Sequence, residues 1–188
     1  SRACRAAARC LTLVPDRKHL ILVGLPGAGK STVGRAVANK LGRQFLDFDV
    51  EIEKREKLSV GEIFATKGEP YFRERERTIT AELRDVAGMV LAPGGGWIAN
   101  PGCLEVIRER ATLVYLEVGP ERAVARMGRG LTQRPLLSRP NPVEEATKLL
   151  AARKALYLQS DHTVSTDLLT RNEVVLRIVA LAMAEQGG

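Results

Sequence analysis

Only three cysteines, Cys4, Cys10 and Cys103, occur among the 188 residues, an odd number with no CxxC pair. Neither a disulfide framework nor a zinc knuckle is therefore expected, and a reducing, cytoplasmic setting is. Histidine is scarcer still: His19 and His162 cannot supply the clustered His and Cys that zinc sites draw on. No apolar run approaches the ~20 residues needed to span a bilayer, which argues against a membrane protein. Aromatic residues make up 4% of the chain, leaving few platforms on which single-stranded nucleic acid could stack.

The formal net charge is +7, and its distribution decides what it means. Residues 1–18 hold Arg2, Arg5, Arg9, Arg17 and Lys18 against Asp16 alone, so +4 of the +7 sits in this stretch. That stretch is rich in Ala and Arg and has no apolar periodicity. It reads as a basic, disordered tail, with a composition shared by transit peptides and by simple extensions. The remaining surplus is too small to support a nucleic-acid binder. The 45% apolar and 27% charged fractions fit a single globular domain over 19–188, large enough to close one core.

From His19 onward, short apolar runs alternate with longer helical patterns. Strands are expected at 19–24, 44–49, 89–93, 112–118 and 162–166. Helices are expected at 30–41, 50–57, 60–66, 70–87 and 171–185. The runs at 89–93 and 112–118 are apolar at nearly every position, as in strands buried on both faces of a parallel sheet. Repeated strand–helix alternation implies an α/β fold, a five-stranded parallel sheet flanked by helices. Ligands in such sheets bind beyond the carboxyl ends of the strands.

After the first strand comes GLPGAGKS, residues 24–31, which matches the phosphate-loop pattern GxxxxGK[ST] at Gly24, Gly29, Lys30 and Ser31. Such a match arises by chance in about 1% of chains this long, and the strand before it and helix after it are what the motif requires. Glycines let successive backbone N–H groups turn inward around phosphate oxygens. Gly27, Ala28, Gly29, Lys30, Ser31 and Thr32 form the expected ATP-binding stretch. In it Lys30 reaches the β and γ phosphates and Ser31 ligates Mg²⁺, the one cofactor expected. A GTPase is disfavoured: NKLG at 39–42 lies within the first helix, and the match Asp85–Gly88 precedes a strand.

Further residues follow the other strands. Asp47 and Asp49, two apart, are expected on one face of a strand. Asp47 can hold a Mg²⁺-bound water. Asp49 can accept from substrate hydroxyls, as a base or only as a positioning group. In the run RERER (73–77), Glu74, Arg75 and Arg77 read as a solvated face. Arg73, beside Phe72, Ile79 and Leu83 and three residues from Glu76, could instead fork onto a carboxylate. Gly94, Gly95 and Gly96 let backbone approach a ligand. Residues 126–142, carrying Arg126, Arg129, Arg134 and Arg139 among glycines and prolines, read as a mobile lid.

Taken in order, FLDFDVEIE (45–53), IFATKGEPYFRERE (63–76), APGGGW (92–97), TQRPLL (132–137) and ARKALY (152–157) resemble the blocks of shikimate kinases, P-loop kinases related to nucleoside-monophosphate kinases. The resemblance runs from about residue 19 to 186. It implies ATP-dependent phosphorylation of the 3-hydroxyl of shikimate in aromatic amino acid biosynthesis, by a monomer. It assigns catalysis to Lys30, Asp49 and Arg134, and the substrate to Asp49, Arg73, Gly94, Gly95, Gly96 and Arg153. Arg134 would close over the γ-phosphate and Arg126 would stack on adenine, with a helical substrate-binding segment over about 50–88. Ala155 replaces a common proline, and Trp97 is bulkier than the residue often found there. A related kinase, such as one for gluconate, or a silent nucleotide-binding module remain the rivals.

Overall fold

The computed structural model describes residues 17–86, 88–128 and 140–185. Five strands pair in parallel: β1 (His19–Val23), β2 (Phe45–Asp47), β3 (Val90–Ala92), β4 (Ala111–Glu117) and β5 (His162–Ser165). Their order is β2-β3-β1-β4-β5, with Leu20 opposite both Val90 and Thr112. All of β1 is buried, as the unbroken apolar run HLILV demands of a central strand.

The period of two in each strand divides the core. Ile21, Val23, Leu91, Leu113 and Tyr115 face one cluster, with Phe48, Ile79, Trp97 and Tyr157. Leu20, Leu22, Val90, Val114 and Leu116 face the other, with Val33, Val37, Val174 and Ile178. The second cluster is closed by α1 (Lys30–Leu41) and α8 (Arg171–Ala184), and the first by α2 (Phe48–Glu56), α3 (Val60–Thr66) and α4 (Gly68–Leu83). Three further helices, α5 (Cys103–Ile107), α6 (Pro120–Met127) and α7 (Pro142–Tyr157), complete the described chain. Pro120 and Pro142 each stand in the first turn of a helix, where a missing N–H costs nothing.

The sequence expectation fails at β2. The alternation FLDFD reads as strand through residue 49, yet the strand stops at Asp47, whose carboxylate caps α2 by accepting from Asp49 N (3.1 Å) and Val50 N (3.4 Å). A side-chain oxygen that satisfies two otherwise orphaned helix N–H groups outweighs the extended pattern. Asp49 thus lies in the first turn of a helix, not on a strand face. The fourth helix likewise ends at Leu83, earlier than residue 87.

At the opposite end of the sheet His19 is a structural tie. Its Nδ1 accepts from Met89 N (3.1 Å), so Nε2 carries the proton and donates to Leu83 O (3.0 Å). Trp97 is wholly buried, edge-on to Phe48, and donates its indole N–H to Thr80 Oγ1 (2.9 Å). Its bulk serves the core beneath the glycine turn, with its polar end satisfied.

Candidate active site

The carboxyl ends of the strands open onto a cavity of about 510 Å³. Residues 27–33 enter it after β1, Asp47 and Asp49 at and after the end of β2, and Ala92, Pro93 and Gly94 at and after β3. Arg126 and Met127 of α6 and Thr166, Leu169, Arg171 and Val174 near β5 and α8 complete the wall.

The loop after β1 is shaped by glycine. Gly27 and Gly29 have φ of 85° and 89°, left-handed values that a side chain disfavours. A Cβ on Gly27 would also collide with the backbone of Ala123 in α6. No side chain caps α1, and its first turn holds no acid. The N–H groups and positive end of that helix are therefore left for an anion. Lys30, only 8% exposed, donates to the carbonyls of Gly24 (2.9 Å) and Leu25 (3.0 Å), bringing a cation under the loop.

Ser31 Oγ donates to Asp47 Oδ2 in a short hydrogen bond, so hydroxyl and carboxylate meet beside the loop. These hard oxygens suit Mg²⁺ in donor type. Among the described residues no group of three His, Cys, Asp or Glu side chains could hold a metal by itself, so phosphate oxygens or water would have to complete the coordination. Arg126 is fastened across the cavity, Nη1 to Thr166 Oγ1 (2.8 Å) and Nη2 to Thr166 O (2.7 Å). Arg134, with Arg129 and Arg139, lies outside the described residues. The ends of the expected lid are helical, Arg126 in α6 and Pro142 in α7.

Around the glycine turn a second group of residues packs. Gly94 borders the cavity, whereas Gly95, Gly96, Arg73 and Arg153 do not line it. A Cβ on Gly94 would sit 3.0 Å from Asp49 Oδ1 and 3.1 Å from Glu76 Oε1, and one on Gly95 would meet Pro26 Cδ at 2.9 Å. The turn therefore touches the phosphate loop on one side and the acidic residues on the other. Gly95 O accepts from Arg153 Nη1 and Tyr157 OH, both at 3.0 Å. The Arg73 guanidinium lies against Gly96. It bonds Glu76 through Nη1 (2.7 Å) and Glu69 through Nη2 (2.8 Å) and Nε (3.1 Å).

Glu76 is the residue whose setting the sequence concealed. It stands in a charged run yet is 0% exposed. Its Oε2 accepts from Arg73 and from Asn100 Nδ2 (3.2 Å), whereas Oε1 is buried with no hydrogen-bond partner among the described residues. Burial, reinforced by the nearby Asp49 charge, pushes the Glu76 carboxyl up to about 7 despite Arg73. For Arg73 burial acts downward, but Glu76 and Glu69 more than offset it and the guanidinium is held above its usual range. Asn100 also fastens Arg77 through Oδ1 (2.9 Å) and donates to Arg73 O (2.8 Å), so Arg77 is anchored as well as solvated. Thr166, Leu169, Arg171 and Asn100 carry no motif, and only the fold brings them here.

Comparison with known proteins gives a consistent result. The sequence model of the shikimate kinase family matches residues 26–182. A shikimate kinase of Pseudomonas savastanoi is 42% identical over 87% of this chain and 95% of its own length. One of Rhodopseudomonas palustris is 39% identical over 87% and 80%. Among solved structures, a shikimate kinase of Acinetobacter baumannii in complex with shikimate superposes with a TM-score of 0.85 at 35% identity, covering 93% of this chain and 97% of that one. A gluconokinase of Sinorhizobium meliloti shares the fold alone, at 16% identity and a TM-score of 0.58.

Proposed function

The chain belongs to the shikimate kinase family, and from that premise we propose that it transfers the γ-phosphoryl group of ATP to the 3-hydroxyl of shikimate, giving shikimate 3-phosphate and ADP. The observation that carries this reading is the contact between two half-sites. A phosphate loop abuts a glycine turn toward which one aspartate and two arginines converge.

Phosphoryl transfer asks the protein mainly for positioning and for charge stabilisation. Residues 27–32 hold the phosphates through backbone N–H groups, and Lys30 carries positive charge to their β and γ oxygens. Ser31, and Asp47 through a bound water, would hold Mg²⁺, which would neutralise phosphate charge. Asp49 accepts the hydrogen bond of the attacking hydroxyl and keeps it directed at the γ-phosphorus, whether or not it takes the proton outright. Arg73 and Arg153 take the acceptor's carboxylate, with Gly94 to Gly96 allowing close approach. Arg126, already held flat by Thr166, offers its guanidinium face to adenine. The charge of Arg134 is assigned to the γ-phosphate on the family resemblance.

A gluconate kinase of this fold would share the donor half but not a carboxylate clamp built from Arg73 and Arg153. Such a clamp favours a rigid acceptor whose carboxylate sits opposite its reacting hydroxyl. A silent nucleotide-binding module is disfavoured because Lys30, Ser31, Asp47 and Asp49 are all retained. A single chain supplies every proposed group, so we assign it as a monomer in the cytoplasm. No helix among the described residues is long and apolar enough to cross a membrane.

Replacing Arg73 tests the acceptor assignment. Arg73→Ala removes one partner of a desolvated charge pair, a loss of ~2–5 kcal/mol. It should raise the KM for shikimate or lower turnover while the KM for ATP changes little. Unchanged shikimate kinetics would remove Arg73 from the site.

A further inference from the structure

The acceptor half holds more negative charge than an anionic substrate should tolerate. Asp49 faces Glu76 from α2, and their oxygens flank the same point above Gly94, at most about 6 Å apart. From α4, Arg73 binds Glu76 and Glu69 together. Arg77 reaches the same group only through Asn100. From α5, Cys103 contributes a thiol kept neutral by burial, its titration pushed up to about 11. From α7, Arg153 stands at Gly95 O, and Tyr157 is a neutral phenol pushed upward by burial.

With every carboxyl ionised, Asp49, Glu69 and Glu76 outnumber Arg73 and Arg153 by one. A carboxylate arriving at Arg73 would double that excess and would compete with Glu76 for the same guanidinium. Glu69 is half exposed and screened by solvent, but Glu76 is fully enclosed. Among the described residues its Oε1 has no hydrogen-bond partner, so that atom can carry a hydrogen. Enclosure pushes the Glu76 carboxyl up to about 7, and a second anion on Arg73 moves it further in the same direction.

We propose that docking of the acceptor's carboxylate at Arg73 is coupled to uptake of one proton from solvent by Glu76, which passes from carboxylate to carboxylic acid and yields its share of the guanidinium to the substrate. This rests on the reading of Arg73 as the ligand of the acceptor's carboxylate. Glu76 is then a positioning residue: it acts through Arg73, and its protonation sets how much of the guanidinium the acceptor can take. Linkage requires shikimate binding to weaken as pH rises above neutrality, by up to tenfold in Kd per pH unit.

Calorimetric titration with shikimate at pH 7.5, in buffers of low and high ionisation enthalpy, reads the proton directly. The expected slope of binding enthalpy against buffer enthalpy corresponds to uptake of between about half and one proton per site. Glu76→Gln imitates the protonated acid, so it should bind shikimate with a slope near zero and a Kd that is flat from pH 7 to 9. A residue that merely braces the helix would weaken binding without changing the proton count. Shikimate binding to the unaltered protein with no proton uptake overturns the proposal, as does equal uptake by Glu76→Gln. Where the variant does not fold, the slope of the unaltered protein decides alone. Absence of any shikimate binding would instead defeat the functional reading beneath it.

Discussion

Replacing Gly96 with alanine tests whether the turn and Arg73 form one device. The added methyl would fall on the Arg73 guanidinium, 2.6 Å from Cζ and closer still to both terminal nitrogens. The side chain cannot simply step aside, because Nη1 is bonded to buried Glu76 and Nη2 to Glu69. Overpacking of this kind costs ~1–3 kcal/mol. For a chain of this size, ~2 kcal/mol lowers Tm by about 4–8 °C. The effect on the acceptor should exceed the effect on the fold. A guanidinium pushed off its fork loses part of a contact worth ~2–5 kcal/mol in full, so kcat/KM for shikimate should fall at least about tenfold, the equivalent of 1.4 kcal/mol. The KM for ATP should stay within about twofold, since Gly96 does not line the cavity that holds the phosphate loop. Steady-state kinetics by coupled ADP detection, with a thermal melt of each variant, measures all three. Combined with Arg73→Ala, the Gly96→Ala loss should be strongly non-additive. A folded Gly96→Ala protein with unaltered shikimate kinetics would refute the coupling.

Two further outcomes follow from parts of the molecule away from the acceptor. Gly61 lies in α3 with nothing within 4 Å of where a Cβ would stand, so Gly61→Ala should stabilise by ~0.5–1 kcal/mol, seen as a higher denaturant midpoint with activity unchanged. His19 is lowered below its usual range by burial, so its neutral form belongs to the folded state. The unfolded chain takes up protons first as pH drops below about 6.5, and the His19 contribution is present above that value and lost as pH falls through the folded one. Stability should therefore fall less between pH 7 and 5 in His19→Gln than in the unaltered protein, by urea denaturation. Glu76, raised rather than lowered, acts in the opposite direction but equally in both proteins.

Motifs that work through local backbone geometry were legible in the sequence. The phosphate loop is one, because its glycines, lysine and serine must be contiguous. α1 appears at Lys30–Leu41 and α3 at Val60–Thr66, the bounds that apolar spacing implies. The five parallel strands were legible for the same reason, with ends shifted by at most two residues. Long-range partners were hidden. Asp47 ends β2 by a capping bond that alternation does not reveal. Glu76 looks like one more charge in RERER, yet it is buried and accepts from Asn100, 24 residues away. Trp97 reads as a bulky intrusion near a pocket, whereas Thr80 and Phe48 take it into the core. Leu169 and Arg171 reach the cavity only because β5 and α8 pack beside β4 and α1.

In the proposed function a phosphate loop meets, across the glycine turn, an acceptor half selective for shikimate, a rigid cyclic acid, over an open-chain polyol acid such as gluconate. ADP release with Mg²⁺-ATP, measured without an acceptor, with shikimate and with gluconate, addresses that selectivity most directly. Slow release is expected without an acceptor, with a rise of several orders of magnitude and formation of shikimate 3-phosphate when shikimate is added, and no comparable rise with gluconate. Release that is indifferent to shikimate, or that responds to gluconate instead, would contradict the proposed function.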